Sequence, residues 1–443
     1  MNSILSVATV CLLILCPQLR LSADESPGES DPRPQERQLP FEMHAKMTQL
    51  PIVHVGPADA DLVGTDNRVL QAAVDYIASL GGGTVEILPG EYLMRDSLHL
   101  RSNVTVRGTK GETILRKSDG VVSPLSVDGD FGEQQFTVAD ATGFQVGFGV
   151  AIWDQNAGGF HTSVARITGR SDNTFSIDKP LMADCMVHNK ARAATVFPVV
   201  SGYDLRNVRV ENLVIEGNKD ANVELNGCRG GGIFLYRGFG TVIQNCEVRN
   251  YNGDGISFQQ SNDVTIVGCR SESNTQLGFH PGSGSQRPVV QNCIARHNGT
   301  DGLFLCWRVK HGFFENNLLE ANGRFGISIG HKDTDNLLQS NRVLRNGEDG
   351  VNFRNETLGM AAHRNRLRDN VIEDNGTNGS AAGIRIRGET DGLVFENNVI
   401  RDTRPSEKQS QKVGVLIENQ VGTLTLLDNQ IEAENPVEDK REK

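Results

Sequence analysis

The chain has few aromatic residues, few cysteines and no excess of positive charge. Aromatic residues make up 6% of its 443 residues, and the formal net charge is -11 at pH 7. An acidic chain does not attract polyanions through its overall field, so we expect no nucleic-acid partner. The eight cysteines show no CxxC metal spacing. Three of them recur at one position of a repeat, where packing explains them without disulfides.

The apolar run at the start, Ile4–Cys16, is too short to cross a bilayer comfortably. It is followed by the small-residue site Leu21-Ser22-Ala23, which predicts a signal peptide over residues 1–23. We therefore expect a secreted protein, extracellular or periplasmic, with no membrane span after signal removal. An uncleaved membrane anchor is the alternative. Residues 24–50 are rich in Pro, Glu and Ser, which predicts a flexible leader.

A repeat of about 24 residues dominates the rest of the chain. Three segments share one pattern of apolar pairs, polar turns and glycines: VVQNCIARHNGTDGLFL, FFENNLLEANGRFGISI and LLQSNRVLRNGEDGVNF. The glycines Gly302, Gly326 and Gly350 recur at a spacing of 24. Repeats of this length are typical of a solenoid built from short strands and tight turns.

Two polar columns identify the solenoid. The first column comprises Cys246, Cys269, Cys293, Asn317, Asn341, Asn370, Asn398 and Asn429. Stacked Asn side chains can satisfy one another inside a turn, which is typical of the asparagine ladder of a right-handed parallel β-helix. The second column consists of Asn-Gly dipeptides, which we expect to form corners with positive φ: Asn298-Gly299, Asn322-Gly323, Asn346-Gly347 and Asn375-Gly376.

We predict an all-β fold with an N-terminal capping helix and a small β insertion. Residues 51–120 contain the cap and the first coils, with a helix that begins after Thr65 or Asp66 and ends at Gly81-Gly82-Gly83. Residues 121–200 break the repeat and form the insertion. Residues 201–434 form the coils, and residues 435–443 form a charged, solvated tail. We expect a monomer.

The start of the solenoid resembles the pectate lyase-like superfamily of secreted β-helix proteins. The resemblance lies in a helix followed by a Gly-rich entry to the first strands: Leu70, Ala72, Ala73, Gly81-Gly82-Gly83-Thr84-Val85, Leu88-Pro89-Gly90 and Tyr92. With the coils, it covers roughly three quarters of the chain by the repeat pattern. It implies the fold, but that fold carries lyases, hydrolases, epimerases and phage tailspikes.

Alternation along the strands after each coil glycine separates an inward set from an outward set. The inward set should fill the core: Ile256, Phe258, Leu303, Leu305, Ile327, Ile329, Val351, Phe353, Ile384 and Ile386. The outward row and the corner beyond it mix imidazoles, cations and an aromatic ring. From this row we predict substrate-binding roles for Trp307, Arg308, Asn352, Arg385 and Arg387. Trp307 would be the platform for a sugar ring.

The same row supports a prediction of β-elimination on an acidic, uronate-containing polysaccharide. Such a reaction needs a base for the C5 proton, a cation for the carboxylate and an acid for the leaving oxygen. We assign Lys332 or His331 as base, Arg354 as carboxylate neutraliser or acid partner, and His280 as a second proton-transfer group. Lys332 followed by Arg354 one coil later resembles the order in alginate and chondroitin lyases of this fold.

Two further local similarities point to other reactions. The stretch from Gly278 to Gly302 is similar to the catalytic region of alginate C5-epimerases. Here His280 replaces the motif aspartate, Gly282 its histidine and Cys306 a further acidic residue. Thr300-Asp301-Gly302 resembles polygalacturonases, whose inverting hydrolysis needs several carboxylates, but Phe304 and Phe325-Gly326 stand at expected aspartate positions.

Several residues also have a purely structural interpretation. Asp254, Asp301 and Asp349 precede coil glycines, where we favour turn capping over calcium binding or catalysis. Arg385 and Arg387 could simply pair with Glu373 or Glu389. The short acidic stretch Asp333-Thr334-Asp335 could bind calcium, the one metal that we consider. A non-catalytic, glycan-binding or structural β-helix therefore remains an alternative to a lyase, hydrolase or epimerase.

Overall fold

The computed structural model describes residues 49–442. The expected signal peptide, residues 1–23, and nearly all of the expected leader, residues 24–50, lie outside the described residues. Within the described range, no helix is long and apolar enough to cross a membrane. The six cysteines of that range are free thiols: Cys185, Cys228, Cys246, Cys269, Cys293 and Cys306.

Three parallel sheets form the body of this range, and successive coils add one strand to each. The 13 strands of sheet 1 are, in spatial order, Leu62–Val63, Ile52–Gly56, Gly83–Ile87, Val104–Gly108, Arg209–Glu211, Val242–Gln244, Thr265–Val267, Val289–Gln291, Phe313–Glu315, Leu337–Gln339, Arg366–Arg368, Leu393–Glu396 and Leu424–Leu427. The 11 strands of sheet 2 are Gly90–Met94, Thr113–Lys117, Val214–Glu216, Glu247–Arg249, Arg270–Glu272, Ile294–Arg296, Leu318–Glu320, Arg342–Leu344, Val371–Glu373, Val399–Arg401 and Gln430–Glu432.

Sheet 3 carries the predicted functional row. Its 11 strands are Leu98–His99, Val200–Tyr203, Ile233–Tyr236, Ile256–Gln259, Phe279–Gly282, Leu303–Phe304, Ile327–Ile329, Val351–Phe353, Ala381–Ile386, Gln411–Ile417 and Asn435–Asp439. The predicted inward residues are at most 1% exposed and belong to one continuous core. The prediction of a parallel β-helix with these residues inside is therefore confirmed.

A helix and an antiparallel sheet accompany the first coils. The helix Asn67–Ser79 begins at Asp66, whose side chain accepts a hydrogen bond from the Arg68 amide, and it buries Leu70 and Ile77 in the core of the solenoid. The six-stranded sheet has a separate core and consists of Val122–Pro124, Gln135–Thr137, Gly149–Trp153, Ser163–Ser171, Thr174–Ile177 and Arg192–Ala194. Short 3-10 helices are Gly159–His161, Val187–Asn189, Lys219–Ala221 and Ser406–Lys408.

The charged tail that we expected to be solvated, residues 435–443, begins with a largely exposed strand. Asn435–Asp439 pairs in parallel with Gln411–Ile417, with Val437 opposite Val415. The preceding strand would otherwise leave its backbone groups unpaired at the sheet edge, and the short acidic strand satisfies them.

The first polar column forms the predicted asparagine ladder. The side-chain amide of Asn341 donates to Asn370 Oδ1 at 3.0 Å and to the Phe314 carbonyl at 2.9 Å, while its own oxygen accepts from Asn317. The cysteines continue the column, because Cys293 Sγ accepts from the Cys269 amide. Each buried amide is thus satisfied by the next coil.

The Asn-Gly corners have a different geometry from the one expected. Positive φ occurs one residue earlier, at His297, Ala321 and Arg345, and the asparagines that follow form a second internal ladder. The glycines are required for closeness instead: a Cβ on Gly323 would lie 2.2 Å from the Gly299 carbonyl oxygen. Stacking of the coils, rather than turn conformation, explains the first three dipeptides. In the fourth, Gly376 has a φ of 82°, as expected.

Replacement of Asn341 by Ala should lower the free energy of unfolding by about 3 kcal/mol, because it leaves the buried backbone N–H of Asn317 without an acceptor and removes one of the two acceptors of its side-chain amide. Urea unfolding measures this loss. Asn429→Ala removes the same groups at the partly exposed end of the ladder and should cost far less. Equal losses for the two variants would contradict the explanation.

Candidate functional site

The outward row of sheet 3 is more buried than the sequence predicts. The register aligns Ser257 with His280, and Ser328 with Asn352, and these four residues are at most 3% exposed. The segment 217–232, which joins sheet 2 to sheet 3, covers the first of them. Its Gly227 carbonyl accepts from Ser257 Oγ at 2.6 Å. The sequence repeat did not predict that this segment covers Ser257, because the segment lies outside the period.

His280 is held by a carboxylate. Its Nδ1 lies 2.6 Å from Asp254 Oδ2, and its Nε2 is buried without a hydrogen-bond partner. Asp254 also accepts from the Leu277 amide through Oδ1. This bond joins two coils, whereas the predicted role was to cap the turn of Asp254 itself. The sequence did not predict this Asp254–His280 pair, because Asp254 was assigned to a turn and His280 to the outward row of the next coil.

Arg354 lies in a fixed position at the centre of the row. Its guanidinium donates to Ser328 Oγ at 2.8 Å, to the Leu305 carbonyl at 2.6 Å and to Asp333 at 3.1 Å. The guanidinium carbon is 4.5 Å from the centroid of the Phe304 ring, and His280 contacts the same ring edge to face at 5.4 Å. Arg354 can therefore supply a fixed positive charge.

The two carboxylates predicted to bind calcium do not converge. Asp333 is fully buried and faces Arg354, whereas Asp335 forms two hydrogen bonds with Arg364, at 2.7 and 2.8 Å. The bond to Arg364 lowers the pKa of Asp335 to about 2. These partners occupy both carboxylates, so the pair does not fit a calcium ion. Across residues 49–442, no group of three or more His, Cys, Asp or Glu side chains is placed to hold a metal.

An exposed tryptophan, a histidine and a glutamate form the accessible part of the site. Trp307 is 40% exposed, and its ring centroid lies 5.3 Å from that of His331. His331 Nε2 lies 2.7 Å from Glu356 Oε1, and its Nδ1 is buried without a hydrogen-bond partner. Burial, together with the charge of Arg354, lowers the pKa of His331. A proton on Nε2, facing Glu356, leaves Nδ1 as the free acceptor.

The backbone that carries these side chains is unusual. Trp307 and Arg308 have φ of 63° and 67°, and His331 and Lys332, one coil later, have φ of 48° and 66°. Non-glycine residues pay roughly 1–2 kcal/mol for this left-handed conformation. Consecutive pairs of such residues, held in place by the coils around them, are typical of functional sites.

The remaining predicted residues extend the row. Lys332 is exposed beside His331, and the Arg308 guanidinium carbon lies 5.8 Å from the centroid of the Trp307 ring. Arg387 donates to Asn352 Oδ1 at 2.7 Å.

The expectation that Arg385 pairs with Glu373 or Glu389 was wrong. Arg385 forms two hydrogen bonds with Asp349, at 2.6 and 3.0 Å, while Glu373 pairs with Arg401. Arg385 is therefore held by the coil before it, within the row.

Cys306 lies in the same region as a buried thiol. Burial raises the pKa of Cys306 well above its ordinary value, and burial also raises the pKa of Cys228 to about 12. Thiols with raised pKa values are poor nucleophiles at neutral pH, so a cysteine mechanism is not favoured.

Comparison with known proteins shows what this chain is similar to. The family description "Right handed beta helix region" matches residues 201–357 and 305–431, which together exceed half of the chain. Mannuronan C5-epimerase AlgE5 of Azotobacter vinelandii is 22% identical over 329 residues, 72% of this chain but 24% of that protein. The chain thus spans about a quarter of the length of this relative.

Two solved structures share the fold. The A-module of mannuronan C5-epimerase AlgE4 of Azotobacter vinelandii has a TM-score of 0.55 at 16% identity, covering 88% of this chain and 100% of the module. The Streptococcus pneumoniae surface protein and adhesin PfbA has a TM-score of 0.53 at 13% identity, covering 86% and 98%. At these low identities the similarity shows the shared fold alone. One of the two structures is an epimerase module and the other is an adhesin.

Replacement of Arg354 by Met should destabilise the protein by about 3 kcal/mol, because it leaves Asp333 buried without its cation. Burial already raises the pKa of Asp333 from 3.8 to about 7, so the folded state holds this proton more tightly than the unfolded state. Stability contributed by such a group is lost as pH rises through the folded-state pKa.

We therefore expect the stability of Arg354→Met to fall steadily between about pH 5 and about pH 8. The double variant Arg354→Met/Asp333→Asn lacks the carboxylate and should show no such fall. Urea unfolding at several pH values compares the two. If the stability of the two variants changed with pH in the same way, the pairing of Arg354 with Asp333 would be contradicted.

Proposed function

We propose, because this chain belongs to the right-handed β-helix family, that it acts on an acidic polysaccharide bound at the corner that follows sheet 3. The observation that carries the proposal is the exposed Trp307 ring beside His331, whose Nε2 faces Glu356 and whose Nδ1 is buried without a hydrogen-bond partner. Binding of the sugar has to uncover Nδ1. A flat, exposed ring next to an oriented histidine suits a sugar unit that undergoes proton transfer. The mannuronan epimerases among its relatives act on such a polymer.

The reaction we propose is β-elimination. His331 Nδ1 takes the C5 proton of a uronate, the electron pair forms the C4–C5 double bond, and the C4–O bond breaks. The departing oxygen takes its proton from Lys332 or from water. Arg354 stabilises the charge that develops on the carboxylate. His331 is preferred to Lys332 as base because Glu356 orients it and burial keeps its pKa low.

Epimerisation would begin with the same proton abstraction but needs a second proton donor on the other face of the sugar. We favour elimination because Gly282, which has no side chain, stands where the epimerase motif has its histidine. Hydrolysis is less favoured because Asp254, Asp301, Asp333 and Asp349 are all engaged by cationic or imidazole side chains.

A non-catalytic glycan-binding role is the second candidate. It is favoured by the burial of His280 and Arg354 and by the fold shared with a surface adhesin. In either role we place the protein outside the cytoplasm, on the basis of the apolar run Ile4–Cys16.

Turnover of uronate polymers tests the choice. Purified protein is offered pectate, alginate, ulvan and glycosaminoglycans while unsaturated-uronate absorbance and reducing ends are followed together. We expect both signals to rise on one polymer. Reducing ends alone would mean hydrolysis, and binding without either signal would favour the adhesin-like role.

Replacement of His331 by Gln should lower kcat by at least about 100-fold, because it removes the acceptor for the C5 proton. KM should change little, since Trp307 and Arg354 remain. His297→Gln, at an exposed corner elsewhere on the coil, is the matched control and should keep full activity. Steady-state kinetics on the active polymer measures both variants, and full activity of His331→Gln would reject its assignment as base.

A further inference from the structure

A cavity with polar walls lies beside the first coils of sheet 3, far from His331. It has a volume of about 170 Å³ and opens between the six-stranded insertion and the first coils. Ser201 of the solenoid and Lys179 of the insertion both line it. Ser201 and Ser328 occupy the same outward column, five coils apart. At about 4.8 Å per strand, the cavity is about 24 Å from the coil of His331.

Lys179 lacks a negative partner. Its ammonium lies 3.7 Å from the centroid of the Tyr203 ring, and in the part of the chain that the structure describes no carboxylate pairs with it at salt-bridge distance. Burial lowers the pKa of Lys179, and the nearby carboxylates of Asp178 and Asp96 oppose this shift. A half-buried ammonium in this state gains from any anion that enters the cavity.

The other walls of the cavity add polar contacts in fixed positions. His99 bridges Asp96, at 2.9 Å, and Ser201 Oγ, at 3.2 Å. Arg166 extends from the insertion with its Nε 3.9 Å from Asp96, a loose contact that leaves the guanidinium available to a ligand. Asp178 also lines the cavity. The cavity thus offers cations and one carboxylate on the insertion side and a hydroxyl and an aromatic ring on the solenoid side.

We propose that this cavity is a subsite for one carboxylate-bearing sugar ring. Lys179 and Arg166 would bind the carboxylate, Ser201 a ring hydroxyl and Tyr203 an apolar face of the ring. Its volume is below the usual range of about 300 Å³ or more for larger ligands, which limits it to a single ring. The insertion thereby becomes the second wall of a binding site.

Aromatic and cationic side chains continue from the cavity towards the proposed active site. The Tyr203 and Tyr236 rings lie 6.2 Å apart on neighbouring coils. Arg229 packs over Tyr236 and donates to the Phe160 carbonyl of the insertion at 2.7 Å. One polysaccharide chain could therefore contact both places, and only this link to a polymer rests on the proposed function.

Binding of free sugars tests the subsite without turnover. Isothermal titration calorimetry is run with D-glucuronate, D-galacturonate and D-mannuronate, with D-glucose as the uncharged control and sulfate as a plain anion. At least one uronate should bind more tightly than glucose and than sulfate. Lys179→Met should weaken that binding about tenfold, as expected for loss of one charge-assisted contact.

Lys190→Met, an exposed lysine of the same insertion, is the matched control and should bind normally. Arg166→Gln is a second variant on the same wall and should also weaken binding. It serves as the test if thermal unfolding shows that Lys179→Met is unstable. Unchanged binding in folded Lys179→Met and Arg166→Gln, equal binding of glucose or sulfate, or no uronate binding would overturn the proposal. Intact uronate binding with no turnover of any polymer would reject only the proposed lyase function.

Discussion

Stacking of coils in register is the constraint on which the rest of this structure depends. A polar side chain inside a turn can be satisfied only by the coil before or after it, so each buried amide requires a matching group about 4.8 Å away. The Asn317-to-Asn429 ladder meets this requirement with amides, and Cys269 and Cys293 meet it with thiols. The same closeness explains the first three glycines of the second column, where any Cβ would collide with a carbonyl of the neighbouring coil.

The candidate site follows from this constraint. Because the core side of sheet 3 is filled by apolar residues, chemistry is confined to the outward row and to the corner that follows it. Single side chains from successive coils then meet at fixed spacing: His280, Phe304, Ser328 and Arg354 form one contiguous cluster. The corner adds Trp307 and His331 on left-handed backbone, which turns them towards the accessible edge of the cluster.

The period of the sequence was enough to predict the sheets, the ladder, the inward core and the coil to which each candidate residue belongs. It could not predict partners that come from different columns. Asp333 was considered a calcium ligand because its sequence neighbour Asp335 is also acidic, yet the buried guanidinium of Arg354 reaches it from the next coil. Segment 217–232 was missed because it lies outside the period, and position within a repeat says nothing about such a segment. The strand Asn435–Asp439 continues the stacking of sheet 3 but lies in the tail that we expected to be solvated.

The central claim is that the corner after sheet 3 is where a uronate polymer binds. Hydrogen exchange measured with and without oligosaccharides of alginate, pectate and glycosaminoglycans tests it most directly, since corners exchange faster than the stacked strands. One of these ligands should slow exchange in segments 305–312 and 330–336 and leave the corner between sheets 1 and 2 unchanged. Protection confined to the corner between sheets 1 and 2, or no protection by any of them, would contradict the claim.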